Sequence, residues 1–168
     1  MNSAGLLVDS FGRIQEAVHE AVEGLTEDQL AVRIDPDANS IAWLVWHLTR
    51  VQDDHLAGAF DTDQLWDADG WRDRFGLPFG KGATGYGQSS AEVGRVRAPA
   101  DLLLAHYDAV HARTLGLVRT VTNADLDRIV DTAWDPPVTL GARLVSVIAE
   151  DLQHAGQAAF VRGVVERR

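Results

Sequence analysis

The run Ile41–Leu48 constrains the fold most, because it is apolar on nearly every side apart from His47. It begins a predicted helix that Asn39 or Ser40 can cap and that extends to about Phe60. A helix without a polar face is stable in water only when other helices surround it. A helix of this length spans roughly 30 Å, which is typical of helical bundles.

Further stretches show the three- and four-residue apolar spacing of amphipathic helices. They cover residues 6–25, a segment from about Pro99 to Val121, and a last helix that Thr139 can cap. Pro99 suits the first position of its helix, because a proline there loses no hydrogen bond. We find no convincing period-two strand pattern. The four long helices therefore predict an all-α four-helix bundle, with residues 1–168 as a single domain.

A long connection, which we call the crossover (residues 61–98), joins the predicted second and third helices. Glycines interrupt every possible helix within it, most densely in residues 70–94. Between them lie the aromatic residues Trp66, Trp71, Phe75, Phe79 and Tyr86. Because disordered linkers contain few aromatic residues, we expect an ordered crossover that packs across the bundle and is also able to form one wall of a pocket.

The charge and composition exclude several classes of function. The chain has 15 Lys and Arg against 25 Asp and Glu, a formal net charge of −10, which disfavours binding to nucleic acids and anionic membranes. It contains no cysteine, which excludes disulfides, thiolate metal sites and a cysteine nucleophile. Neither a signal peptide nor a membrane-spanning run is evident. We expect a cytoplasmic protein that acts on a small molecule.

Three side chains are candidate metal ligands. His47 lies in the apolar half of the second helix, where leaving an imidazole nitrogen unpaired costs about 1–3 kcal/mol. Glu150 and His154 are four residues apart on the last helix, so their side chains point the same way. Together the three offer one carboxylate oxygen and two imidazole nitrogens. That set suits Zn²⁺, Ni²⁺ or Fe²⁺, with a coordination position left for water or substrate.

The spacing leaves alternatives open for each of these side chains. Asp151 is three residues from His154 and therefore competes with Glu150 as the carboxylate ligand. A glutamate and a histidine one turn apart are also common as a solvated pair on a helix surface. His47 could equally be a buried histidine that only hydrogen-bonds within the core.

Two runs in the chain resemble the DinB-like proteins. The run Trp43–Arg50 is similar to their second helix, and Asp151–Ala159 is similar to the signature of their last helix, a histidine followed by x-Gly-Gln. The thiol-transferase branch, which includes mycothiol-dependent maleylpyruvate isomerase, is the most similar. The resemblance implies a four-helix bundle that holds a divalent metal through three side chains. His47 and His154 match the family's ligands, whereas Glu150 stands where the family usually has histidine.

The resemblance also implies an activity, that of a metal-dependent S-transferase or isomerase with a low-molecular-weight, mycothiol-like thiol. Because the chain has no cysteine, the thiol must be a small-molecule cosubstrate. Arg50, Arg143 and Arg162 are candidate partners for carboxylates of the thiol or substrate, and Gln157 is a candidate to orient the ligands from outside the metal shell. A homodimer is expected.

Other readings of the same residues are a non-catalytic DinB-like bundle that binds a metal or small ligand, and a purely structural helical protein. The structural reading requires that Glu150 pairs with an arginine and that His47 is buried in its neutral form.

Overall fold

The computed structural model describes residues 2–168 and confirms an all-α architecture built on four long helices. In chain order the elements are α1 (Ser3–Val22), α2 (Glu27–Leu30), α3 (Ile41–Phe60), α4 (Leu65–Ala68), α5 (Trp71–Phe75), α6 (Ser90–Val93), α7 (Ala100–Val118), a 3₁₀ helix (Asn123–Asp127), β1 (Ile129–Asp131), β2 (Val138–Thr139) and α8 (Leu140–Val165). The long helices are α1, α3, α7 and α8. Within the described residues, no helix is both long and apolar enough to cross a membrane.

Side-chain caps set the beginnings of the two helices that will carry the candidate site. The Ser40 hydroxyl accepts the Trp43 backbone N–H at 3.1 Å at the start of α3. The Thr139 hydroxyl accepts the Ala142 backbone N–H at 3.2 Å at the start of α8. Both predicted caps are therefore found, and each satisfies a backbone donor that the first turn of a helix leaves unpaired.

The other two long helices differ from the prediction at their ends. Helix α1 begins at Ser3, because the Asn2 side chain accepts the Gly5 N–H at 2.8 Å and caps it there. Pro99 is the residue that precedes α7 rather than its first helical residue. Helices α1 and α7 also end about one turn before the predicted Leu25 and Val121.

The packing explains why the first half of α3 is apolar all round. Helix α8 packs against both α3 and α1, and α7 packs against the same two helices. Every residue from Ile41 to Asp53 is buried, as the sequence predicts for a helix enclosed by its neighbours. The polar residues of this stretch, His47 among them, are therefore enclosed with it.

The crossover is ordered, but its glycines do not exclude helices as predicted. The short helices α4, α5 and α6 form within it, because a single turn needs only a few residues between two glycines. Gly70 and Gly76 flank α5 and both have left-handed backbone angles, which glycine adopts without strain. The aromatic side chains of Trp66, Trp71 and Phe75 are buried in the main core, so the crossover packs onto the bundle.

A small antiparallel hairpin of β1 and β2 precedes α8, although the sequence shows no strand pattern. Strands of three and two residues are too short to display period-two alternation. The hairpin is tied to α8 because Arg143 donates to the Asp131 carboxylate at 2.6 Å.

Candidate metal centre

Helices α3 and α8 bring three of the predicted ligands together, and we call His47, Glu150 and His154 the metal group. The distance from Glu150 Oε1 to His47 Nε2 is 3.2 Å, and that to His154 Nε2 is 3.0 Å. The three potential ligand atoms all lie within 4.8 Å of one another. Residues that are about a hundred positions apart in the sequence thus converge on one point.

The Trp43 indole fixes the orientation of both imidazole rings. It stacks on His47 with ring centroids 4.5 Å apart and meets His154 edge-on at 6.1 Å. Its own Nε1–H donates to Gln88 Oε1 at 2.8 Å, which holds the indole in place from the crossover. The imidazoles therefore have little freedom to turn away from Glu150.

Each imidazole forms a hydrogen bond through Nδ1, which leaves Nε2 as the nitrogen available to a metal. His47 Nδ1 lies 2.6 Å from the Thr84 carbonyl oxygen, which can only accept, so this nitrogen carries a hydrogen. His154 Nδ1 lies 2.8 Å from Gln157 Oε1 and donates to it in the same way. In the neutral form of each ring the hydrogen is on Nδ1, and the lone pair of Nε2 then points towards Glu150. Metal-binding histidines typically have this pattern of outer hydrogen bonds.

The resulting arrangement fits a divalent cation. Two nitrogen lone pairs and a carboxylate face one another, a repulsive set unless a positive charge lies among them. Burial lowers the pKa of the His47 imidazole and the neighbouring His154 acts in the same direction, so a second proton on His47, at Nε2, is disfavoured. Ligand bonds near 2.0–2.1 Å separate two donor atoms by about 2.9 Å at a right angle and about 3.4 Å at the tetrahedral angle. The distances to Glu150 lie within that range.

Gly85 in the crossover permits this arrangement and was not singled out from the sequence. A Cβ atom at this position would lie 2.7 Å from His47 Nδ1 and 3.1 Å from Trp46 Cζ3. Its φ of +100° is also one that other residues rarely adopt. Only glycine lets the backbone approach close enough for the Thr84 carbonyl to reach His47. The crossover is therefore one wall of the site, as its aromatic content suggested.

A cavity of about 610 Å³ opens beside the metal group and has the volume of a small-molecule site. Residues of α3, α8, the crossover and the hairpin line it: His47, Val51, Asp54, His55, Thr84, Tyr86, Asp131, Trp134, Arg143, Ser146 and Glu150. Two members of the metal group are thus accessible to a ligand in this cavity.

The alternative carboxylate Asp151 lies outside the metal group. Its side chain is fully buried, and neither of its oxygens has a hydrogen-bond partner among residues 2–168. Burial, with a smaller contribution from Glu150, raises the pKa of Asp151 well above its usual range. Glu150 is the carboxylate that contacts both imidazoles, and it is therefore the better placed of the two candidates.

The three candidate arginines have different surroundings. Arg143 lines the cavity, where Asp131 holds its guanidinium. Arg50 is completely buried, lies over the Trp66 ring at 4.8 Å and donates to the crossover. Arg162 donates at 2.7 Å to two carbonyl oxygens at the end of α1. Only Arg143 is placed to contact a ligand in this cavity.

We predict that Gln157→Ala lowers the affinity for Zn²⁺ about 10–100-fold, because His154 loses the hydrogen bond that fixes its ring. The matched control is Gln153→Ala, one turn away on the same helix, whose amide donates only to the Ala149 carbonyl. Competition with a chromogenic chelator measures both affinities. Equal affinities in the two variants would contradict the assigned role of Gln157.

We also predict that Gly85→Ala weakens Zn²⁺ binding at least about tenfold, because the new methyl group displaces the His47 ring or the Thr84 carbonyl. Gly87→Ala is the control, since Gly87 also has a positive φ, of +72°, but its added Cβ would meet nothing within 4 Å. Both variants lose stability from backbone strain, about 1–3 kcal/mol each. A loss of Zn²⁺ affinity of the same size in both would show that contact with His47 is not the cause.

Comparisons with known proteins agree with the fold. A crystal structure of a conserved protein from Enterococcus faecalis superimposes with a TM-score of 0.92 at 27% sequence identity, over 100% of this chain and 99% of that chain. A search of curated proteins finds no match. The sequence profile of the DinB superfamily matches residues 10–158, which is most of the chain. Because this match covers well over half of its length, the chain belongs to the DinB superfamily.

Proposed function

We propose that this protein is a divalent-metal-dependent S-transferase or isomerase that uses a low-molecular-weight thiol, of the mycothiol type, as cosubstrate. The observation that carries the proposal is the metal group with a small-molecule cavity beside it. The resemblance of the two helix motifs to the thiol-transferase branch supplies the reaction type. Since the chain has no cysteine, the sulfur must come from a bound thiol.

The residues of the metal group would hold the cation, and the rest of the cavity would orient the reactants. A bound divalent cation favours the thiolate form of a thiol and stabilises negative charge that develops on a substrate oxygen. The Thr84 carbonyl and Gln157 keep the two imidazoles aligned. Arg143, held by Asp131, is available to orient a carboxylate of the thiol or the substrate.

The proposed reaction forms a bond between the thiol sulfur and an electrophilic carbon of the substrate. The thiol loses its proton before or during the attack. In a transferase, the product keeps the new carbon–sulfur bond: either a carbon–carbon or carbon–oxygen π bond of the substrate opens and the substrate takes up the thiol proton, or a leaving group departs with the bonding electron pair and that proton. In an isomerase, the bond breaks after the substrate has rearranged, and the thiol is released unchanged.

A second candidate function is metal or ligand binding without catalysis. Glu150 favours it, because a carboxylate replaces the histidine that is usual in the family and adds a negative charge to the metal group. That charge reduces the Lewis acidity of a bound cation. The two candidates differ in whether a thiol is bound productively.

We predict that mycothiol raises the melting temperature of the Zn²⁺- or Ni²⁺-loaded protein by about 5–10 °C at roughly one hundred times its Kd, because a ligand that binds only the folded state stabilises it. His154→Ala, which cannot hold the metal, should show no such shift. Differential scanning fluorimetry makes the measurement.

The S-methyl derivative of the same thiol is the matched ligand control, since it differs only by a methyl group on sulfur and cannot form a thiolate. An equal shift with the S-methyl compound, or in His154→Ala, would contradict thiol binding at the metal group. Metal retention without any shift by thiols would favour the non-catalytic function.

A further inference from the structure

Two exposed aromatic side chains lie at the cavity beside the metal group. Tyr86 is 93% exposed and Trp134 is 68% exposed. Both line the same cavity as His47 and Glu150. They come from different segments, Tyr86 from the crossover and Trp134 from the loop between β1 and β2.

The exposure of Trp134 is unusual for this chain. The other tryptophans, Trp43, Trp46, Trp66 and Trp71, are at most 6% exposed. An aromatic side chain buries about 150–250 Å² when it is covered, so an exposed one leaves a large contact area unused. Next to a small-molecule cavity, that area is available to a ligand.

Tyr86 is placed by the same contacts that orient His47. It lies between Gly85 and Gly87, which both have left-handed backbone angles. Thr84, the residue before Gly85, accepts the hydrogen bond from His47 through its backbone carbonyl. The position of the Tyr86 backbone relative to the metal group is therefore fixed.

Contacts of Asp131 hold the β1–β2 loop, which carries Trp134, next to the cavity. Asp131 accepts the Ala133 N–H at 2.9 Å, which shapes the loop just before the tryptophan. The same carboxylate pairs with Arg143 of α8 at 2.6 Å. The loop that carries Trp134 is thus attached to the helix that carries Glu150.

We propose that Tyr86 and Trp134 form an aromatic subsite, which binds an aromatic or flat apolar part of the substrate while a polar group of the same molecule reaches the metal group. This inference rests on the proposed function, because it places the substrate beside a bound cation. Covering the two rings releases water from their faces, so a substrate with such a part binds more tightly than one without it.

The test compares two hydroxamates that have the same metal-binding group and differ in their apolar part. Benzohydroxamate carries a phenyl ring and acetohydroxamate carries only a methyl group. On the Zn²⁺-loaded protein we expect benzohydroxamate to bind about tenfold or more tightly than acetohydroxamate, by isothermal titration calorimetry. In the double variant Tyr86→Ala/Trp134→Ala we expect that preference to disappear and the affinity for acetohydroxamate to stay unchanged.

Phe160→Ala is the control, because Phe160 is another exposed aromatic residue, at 65%, that does not line this cavity. It should keep the preference of the wild-type protein. A preference that survives in the double variant, or equal binding of the two hydroxamates to the wild-type protein, overturns the subsite.

A separate measurement of zinc retention distinguishes this result from failure of the proposed function. If the protein keeps zinc through dialysis but shows no phenyl preference, only the subsite is wrong. If zinc is lost on dialysis, the metal-dependent function is contradicted and the subsite falls with it.

Discussion

The hydrogen bond from His47 to the Thr84 carbonyl is the interaction on which the rest of the site depends. It satisfies the outer nitrogen of an imidazole that is buried in the most apolar part of the bundle. It also fixes the tautomer, so that the other nitrogen presents a lone pair to Glu150. A histidine without this partner would either cost stability or rotate away from α8.

The site is built from three segments that are far apart in the sequence. Helix α3 supplies His47, α8 supplies Glu150 and His154, and the crossover supplies the carbonyl that aligns the first ring. Gly85 leaves the space that this carbonyl needs to approach His47, and the Trp43 indole packs against both imidazole rings. The long crossover is therefore part of the candidate site as well as the connection between α3 and α7, and Trp66, Trp71 and Phe75 attach it to the core.

The sequence predicts the features that depend on interactions between residues within a few positions of one another. The caps at Ser40 and Thr139 are side-chain signals for helix starts, and the enclosure of α3 follows from its apolar faces. The four-residue spacing of Glu150 and His154 places them on one side of a helix. The proximity of Glu150 and His154 to His47 is expected from the family resemblance combined with that spacing.

Other features depend on tertiary contacts and have no signature in the residues alone. The partner of His47 is a backbone carbonyl, which every residue has. Gly85 is one of several glycines in the crossover, and nothing in the sequence separates it from the others. Arg50 is a candidate partner for a ligand carboxylate by sequence, but in the structure it is buried and donates to the crossover. The exposure of Trp134 contradicts the usual burial of tryptophan and becomes visible only once the cavity is known.

The most direct test of the account is a crystal structure of the protein with saturating zinc, in which anomalous scattering locates the ion. The account predicts one ion about 2.0–2.2 Å from His47 Nε2, His154 Nε2 and a carboxylate oxygen of Glu150. Zinc bound only at other residues, with no ion between the two imidazoles and Glu150, would contradict it.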